Sequence, residues 1–191
     1  MQTVIDYRGK TKYDVRTTLA YKDRPARQQF AEMALLDQAS ALLLPKSQRV
    51  LDLPCGGGRV SVHLARWGYQ MSAADHSVAM PQIARQSLAG NGIDCPLEQQ
   101  DIEQMTYADV QFDTIVCFRL FHHFPTSDIR QKAVSELCRV AGNQVVISYS
   151  SPYSASSFAR RLRARCGGRK SQKSTTPLAE GETYSEGRAS A

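Results

Sequence analysis

Short apolar segments alternate with helix-length segments along the middle of this 191-residue chain, and this alternation constrains its fold most. Strands separated by helices form βαβ units, whose parallel strands are covered by helices on both faces of the sheet. The sequence therefore predicts an α/β protein with a mainly parallel sheet. The predicted strands are Arg49–Leu53, Tyr69–Ala74, a weak third near Pro96–Glu98, Phe112–Phe118 and Gln144–Tyr149.

The helix-length segments carry start and stop signals. Pro25 follows Asp23 and suits the first turn of a helix, and Gly68 suits the position just after a helix end. The predicted helices are 25–44, Val60–Trp67, Val78–Leu88 and Ser127–Val140. We expect a polar N-terminal segment over 1–24, one domain over 25–150 and a basic, low-complexity tail over 151–191, read as loop or disorder.

The net charge of +6 is concentrated near the C-terminus. Residues 160–191 carry eight basic and three acidic residues, whereas residues 1–159 carry sixteen basic and fifteen acidic residues. A nearly neutral body does not predict a nucleic-acid surface, so we expect no nucleic-acid partner.

The five cysteines are scattered and contain no C-x-x-C pair, which argues against a zinc site or a disulfide framework. No apolar run approaches the ~20 residues that span a bilayer, and the first residues do not resemble a signal peptide. The sequence therefore predicts a cytoplasmic protein with no membrane span and no metal. The cysteines are Cys55, Cys95, Cys117, Cys138 and Cys166.

The segment Val50–Arg59, VLDLPCGGGR, runs from a predicted strand through three glycines into a predicted helix. Glycine lets a ligand approach the backbone and adopts positive φ without strain. The helix start adds backbone N–H groups that favour a negatively charged group. In open α/β sheets, ligands lie beyond the carboxyl ends of the strands, where this turn falls. The segment therefore predicts a cofactor site.

Acidic residues at the strand ends argue against a dinucleotide. Ser61 stands where the G-x-G-x-x-G fingerprint requires its last glycine. Asp52 ends the first strand, where it would repel a pyrophosphate and suits an ammonium group instead. Asp75 ends the second strand, where a carboxylate can accept hydrogen bonds from two ribose hydroxyls, and Asp101 follows the third.

VLDLPCGGGR resembles motif I of the class I S-adenosylmethionine-dependent methyltransferases of the small-molecule type, and the resemblance extends over about 25–150. It implies S-adenosylmethionine as cofactor and methyl transfer as activity. The methionine part would be held by Asp52 and by the backbone of Pro54, Cys55, Gly56, Gly57 and Gly58, and the ribose by Asp75. Pro54 departs from the family, which usually has its first glycine there.

The resemblance also implies roles after the second, third and fourth strands. His76 and Met80 would flank the adenine, and Asp101 and Ile102 would meet its exocyclic amine and edge. Phe118 and Arg119 would line the methionine part and the entrance for the acceptor.

Several of these residues have structural alternatives. Asp52 could cap the helix that starts near Arg59, and Asp75 could be a surface residue after a strand. His76 could be a neighbour of the site rather than a ligand. Cys55 is expected to offer only its backbone, because nothing in the sequence activates its thiol.

The segment Arg119–Phe124 follows the clearest strand and is where acceptor chemistry is expected. An acceptor hydroxyl or acidic carbon must lose a proton on methylation, and a histidine near neutral pKa can accept it. His123 is the predicted base; its alternative is to pack against the following helix. The predicted acceptor is a small molecule, aromatic or lipid-like, methylated on oxygen or carbon.

The C-terminal part leaves other functions open. The family usually adds two more strands after the fifth, and 151–191 contain no convincing pair, so we expect these strands to be missing. The chain could then be a non-catalytic methyltransferase-like module. Alternatively, the seven basic residues between Arg160 and Lys173 could direct it to RNA or protein, although a solvated tail also fits.

Overall fold

The structure is a computed structural model that describes residues 30, 33–38, 41, 48–149 and 175. Within the predicted helix over 25–44, residues 30 and 33–38 are helical. The predicted polar segment over 1–24 lies outside the described residues, and so does the predicted tail over 151–191, apart from residue 175.

Five strands form one parallel sheet in the order β3-β2-β1-β4-β5, which confirms the predicted α/β class and the parallel pairing. The chain adds strands in one direction from β1 to β3 and then returns to place β4 on the other side of β1. The sheet order therefore reverses between β1 and β4. The strands are β1 (Arg49–Asp52), β2 (Gln70–Asp75), β3 (Leu97–Gln99), β4 (Phe112–Cys117) and β5 (Ala141–Ile147).

Three helices and one 3₁₀ helix connect the strands of the described part. They are α1 (Arg59–Arg66), α2 (Met80–Ala89), the 3₁₀ helix Phe121–His123 and α3 (Ser127–Val140). The bounds of α3 are those predicted. Its start is fixed by Thr126, whose side-chain oxygen accepts a hydrogen bond from the Ile129 N–H at 3.4 Å.

Helices cover both faces of the sheet, as predicted, because successive side chains of a strand point to opposite sides. Val50 packs with Leu64 of α1 in one buried cluster. Leu51, the next residue, packs with Leu137 of α3 in another. Each face of β1 is thus closed by its own helix, and the strand is fully buried after its first residue.

The predicted helix Val78–Leu88 corresponds to α2, and its predicted start is two residues too early. The Asp75 carboxylate accepts the Ser77 N–H, and the Ser77 hydroxyl accepts the Ala79 N–H, which holds this segment in a turn. Val78 is consequently 69% exposed, and α2 begins at Met80.

The fifth strand also differs from its prediction, because it begins at Ala141 rather than Gln144. Ala141 leaves α3 directly in an extended conformation and pairs with Phe112 of β4. Its side chain is fully buried. Because Ala141 is already extended and paired with β4, no loop separates the end of α3 from the start of β5.

Candidate functional site

The bend after β1 is tied to both neighbouring strands. The Leu53 N–H donates to the Val116 carbonyl of β4 at 3.1 Å, and the Cys55 N–H donates to the Ala74 carbonyl of β2 at 2.8 Å. The bend then turns at Gly56, where φ is 52°. The backbone of this bend is therefore fixed at the carboxyl ends of three adjacent strands.

Gly58 is favoured by packing as well as by backbone conformation. It caps the start of α1 with φ at 79°, in the left-handed region that favours glycine. A Cβ at this position would lie 3.1 Å from the Cα of Ala84 in α2. The glycine thus lets the start of α1 lie against α2. Its predicted contact with the cofactor stays a prediction.

Asp52 is fully buried beside the first turn of α1. Its Oδ2 accepts a hydrogen bond from the Ser61 hydroxyl at 2.6 Å. Burial raises the pKa of Asp52 to about 7. The hydrogen bonds from Ser61 oppose this shift, and the charge of Asp75 adds to it. Asp52 thus binds the third residue of α1, while the N-cap position itself is Gly58, without a side-chain cap.

Ser61 belongs to the candidate site, but the sequence predicted no role for it. There it served only to show that the last glycine of the dinucleotide fingerprint is absent. It is fully buried and holds one oxygen of Asp52. The other oxygen, Oδ1, is buried without a hydrogen-bond partner in the described part of the chain. A buried carboxylate oxygen without a donor favours a cationic or N–H-bearing ligand nearby.

The raised pKa of Asp52 predicts a pH-dependent stability. Because this pKa is higher in the folded chain than the ordinary 3.8, the stabilisation from the bound proton is fully present below pH 3.8. It is lost as the pH rises through the folded value of about 7. Asp52→Asn cannot titrate, so its free energy of unfolding relative to wild type should rise by about 2 kcal/mol from pH 5 to pH 8.

Urea unfolding of both proteins at the two pH values measures this difference. Asp113→Asn is the control, because the Arg49 guanidinium holds the pKa of Asp113 below its usual range and its titration lies under pH 5. A difference between Asp52→Asn and wild type that stays constant with pH would contradict the assignment.

Asp75 links the end of β2 to the glycine bend. Its Oδ2 accepts the Gly56 N–H and its Oδ1 accepts the Ser77 N–H, both at 2.9 Å. The residue is 5% exposed, and burial raises the pKa of its carboxyl group. Asp75 is therefore not a surface residue after a strand. A carboxylate has about four acceptor positions, so Asp75 keeps acceptor capacity for a ligand hydroxyl beside these backbone N–H groups.

The residues predicted for the adenine lie after β2 and β3. The His76 Nδ1 is 3.8 Å from the Asp101 Oδ2, so these two side chains are brought together. Met80 and Ile102 are buried, and Ile102 packs in the cluster beneath α3. Contacts of the four residues with adenine stay predictions.

A small cleft, partly open to solvent, lies beside the glycine bend. It brings together five of the predicted residues, which come from the ends of β1 and β4. Three further residues line it that sequence reasoning missed. Among the described residues, the lining consists of Met33, Pro54, Cys55, Gly57, Arg59, Val60, Phe118 and Arg119.

The position of the cleft follows from the strand order. Open α/β sheets bind ligands where the strand order reverses, at the carboxyl ends of the strands. Here the order reverses between β1 and β4, and the cleft lies between the segments that follow them. Among the described residues, none of the three carboxylates Asp52, Asp75 and Asp101 lines it.

Arg119 has an unusual backbone at the wall of this cleft. Its φ is 64°, which costs a non-glycine residue about 1–3 kcal/mol. The Arg119 N–H donates to the Ser148 Oγ at 2.6 Å, and the Ser148 N–H donates to the Cys117 carbonyl at 3.0 Å. The residue after β5 thus holds Arg119 in place.

The two histidines predicted near the acceptor lie in the 3₁₀ helix after β4. Their ring centroids lie 4.0 Å apart, and the ring planes are tilted by 41°. His122 is buried and His123 is half-buried, while Phe121 and Phe124 belong to the core beneath α3. The structure therefore assigns these two phenylalanines to the core and leaves the role of His123 as a base a prediction.

The Cys55 thiol does not fit a nucleophile. Burial raises the pKa of this thiol well above its ordinary value, and the charges of Asp52 and Asp75 add to the shift. The thiolate is therefore strongly disfavoured. This agrees with the expectation that Cys55 offers its backbone.

A hydrogen-bonded pair connects α1 to the helical segment 33–38. The His63 Nε2 and the Asp37 Oδ1 are 2.8 Å apart. In the same segment, Leu36 is fully buried against α1 and β1, and Met33 lines the cleft. The pair therefore helps to hold one wall of the cleft.

His63→Ala is expected to speed amide hydrogen exchange in residues 33–38 about two- to fivefold. The effect is small because a partly exposed pair of this kind contributes less than about 1 kcal/mol. Hydrogen exchange read by mass spectrometry measures it. Asp113→Asn is the control, since it removes the ion pair with Arg49 at the amino end of the sheet. Equal exchange in both variants would show that the pair does not hold the segment.

Two searches of the described residues concern metals and membranes. Within them, no group of three or more His, Cys, Asp or Glu side chains is placed to hold a metal ion. No helix among them combines the length and the apolar character needed to cross a membrane.

Comparisons with known proteins agree on one family. Residues 50–143 match a family model described as a methyltransferase domain. The ubiquinone biosynthesis O-methyltransferase of Xanthomonas axonopodis pv. citri (strain 306) is 31% identical over 108 residues, which are 56% of this chain and 45% of that protein.

Solved structures share the fold. A Bacillus halodurans C-125 protein, provisionally described as a methyltransferase, is 30% identical with a TM-score of 0.58, covering 70% of this chain and 58% of that one. The magnesium protoporphyrin IX methyltransferase of Synechocystis PCC 6803, solved with S-adenosylhomocysteine, has a TM-score of 0.65 at 19% identity, covering 83% and 70%.

The glycine bend, the sheet and the cleft fall almost entirely within the matched range, and this part of the chain belongs to the class I S-adenosylmethionine-dependent methyltransferases. The matched part of the chain spans less than half the length of the curated relative described above.

Proposed function

We propose that this chain binds S-adenosylmethionine at the carboxyl ends of β1, β2 and β4 and transfers its methyl group to an oxygen of a small acceptor. The hydrogen bond from the Gly56 N–H to Asp75 carries the proposal. Through this bond the Asp75 carboxylate lies directly against the glycine bend, which itself borders the cleft, and this supports the proposed contact with the ribose. Family membership supports the same cofactor.

The residues present fit this cofactor. Asp52 carries a buried oxygen without a donor in the described part of the chain, next to the bend where the ammonium of an amino acid would be held. Asp75 retains acceptor capacity for the ribose hydroxyls. His76 and Asp101, 3.8 Å apart, would lie on the adenine side.

When bound, S-adenosylmethionine supplies a methyl group activated by its sulfonium. The protein must then orient the acceptor and exclude water. Met33 and Phe118 give the cleft apolar walls that suit both tasks. His123, just after β4, is proposed to take the proton from the acceptor hydroxyl. Oxygen is favoured over carbon because the Xanthomonas relative is named an O-methyltransferase.

Calorimetric titration with S-adenosylhomocysteine tests cofactor binding. Transfer of a radiolabelled methyl group from S-adenosylmethionine to a panel of phenols and catechols tests turnover. We expect binding and transfer, with His123→Gln slowing transfer while leaving the affinity for S-adenosylhomocysteine unchanged. Absence of binding contradicts the proposal as a whole. Binding without transfer to any acceptor supports the alternative of a non-catalytic module.

A further inference from the structure

Two arginines stand in the described part of the cleft lining. Eight described residues line the cleft; two of them are Arg59 and Arg119, and none is a carboxylate. The other six contribute apolar side chains and the backbone of the bend. A cleft of this composition suits a ligand with an apolar body and an anionic group.

The start of α1 adds to this positive charge. Arg59 is the first residue of α1, so its guanidinium accompanies the partial positive charge of the helix N-terminus. The first turn of α1 contains no acidic residue. Asp52 is the carboxylate that is hydrogen-bonded to this turn, through the Ser61 hydroxyl. It is fully buried.

The second guanidinium belongs to the residue with the strained backbone. Arg119 keeps a φ of 64°, and the Ser148 hydroxyl accepts its N–H. Strained conformations of non-glycine residues persist where the surrounding structure enforces them, and they are frequent at functional sites. Glycine would adopt this φ at no cost, so the strain here accompanies an arginine that lines the cleft.

We propose that Arg59 and Arg119 select an acceptor that carries an anionic group, a carboxylate or a phosphate. A guanidinium offers five donors in a planar fork, which matches both groups and leaves donors for a ligand beside any protein partner. The inference rests on the proposed methyl transfer, because it concerns the acceptor of that reaction. The arginines could instead bind the carboxylate of the cofactor. The test distinguishes an anionic group on the acceptor from this carboxylate.

The test compares ligands that share a catechol ring and differ in charge. The full chain is titrated by calorimetry with 3,4-dihydroxybenzoate and with the neutral 3,4-dihydroxybenzamide, in the absence and presence of saturating S-adenosylhomocysteine. Phenyl phosphate serves as a second anionic probe. The variants are Arg59→Gln and Arg119→Gln, and Arg119→Lys retains the charge without the fork. Arg66→Gln, at the other end of α1, is the matched control.

We expect the benzoate to bind at least about tenfold more tightly than the benzamide. This preference should fall to about threefold or less in both glutamine variants, be partly retained in Arg119→Lys and be unchanged in Arg66→Gln. Raising the salt from 50 to 500 mM should weaken only the anionic probes. Equal affinity for benzoate and benzamide, with no binding of phenyl phosphate, overturns the inference.

A second comparison separates the two sources of the anion. S-adenosylhomocysteine carries an amino acid carboxylate, whereas 5′-methylthioadenosine does not, and both are titrated into wild type and the glutamine variants. If the variants lose affinity for S-adenosylhomocysteine but not for 5′-methylthioadenosine, and the benzoate preference stays intact, the arginines serve the cofactor and the inference fails. If wild type binds no S-adenosylhomocysteine, the proposed function fails, while the titration without it still decides whether the arginines bind an anion.

Discussion

Asp75→Ala is expected to weaken S-adenosylhomocysteine binding at least about 100-fold. The carboxylate is proposed to accept two ribose hydroxyls, and hydrogen bonds to a charged group contribute about 1.5–3 kcal/mol each. The same oxygens accept the N–H groups of Gly56 and Ser77 at 2.9 Å. The alanine variant therefore loses both the ligand contact and the anchor of the glycine bend. Calorimetric titration measures the loss.

Two further variants separate these effects. Asp75→Asn keeps one acceptor oxygen but turns the other into a donor, which must then oppose one of the two backbone N–H groups. We expect an intermediate loss for it. Asp94→Ala is the control, because Asp94 is an exposed carboxylate in the loop before β3. An unchanged affinity in Asp75→Ala would remove the main support for the cofactor site.

Gly58→Ala is expected to lower the free energy of unfolding by about 2–4 kcal/mol. Two costs combine at this position. An alanine at φ 79° is strained by about 1–2 kcal/mol. Its Cβ would also lie 3.1 Å from the backbone Cα of Ala84, and forcing extra atoms into a packed interior costs about 1–3 kcal/mol. Urea or thermal unfolding at constant pH measures the sum.

Gly92→Ala isolates the first cost. Gly92 also has a positive φ, 67°, but a Cβ there would meet nothing within 4 Å. It should therefore show the backbone strain alone, about 1–2 kcal/mol. A Gly58→Ala variant no less stable than Gly92→Ala would show that the start of α1 can move away from α2.

The sheet could be predicted from sequence because its strands are short continuous runs of apolar residues and its helices have clear ends. Thr126 and Gly68 mark two of those ends by local chemistry alone. The start of α2 could not be predicted in this way, since the hydrogen bonds of Asp75 and Ser77 that delay it form only in the folded turn.

The site was predicted in part for a similar reason. The glycine bend and the strand-end acids are local in sequence, so they can be proposed as site residues from the sequence alone. Met33 comes from a distant helical segment, and Ser61 was passed over because a buried serine in a helix resembles any other polar residue. Only the packing of α1 on β1 shows that Ser61 holds Asp52.

The reversal of strand order brings two separate stretches of chain to the cleft, 54–60 and 118–119, beside the wall that contains Met33. Neither stretch alone can enclose a small molecule. If the polypeptide were cut between β3 and β4 and the pieces produced together, a ligand of the cleft would bind only the reassembled pair. By mass action it would then promote their association, so that fragment complementation would report on occupancy without any enzymatic assay.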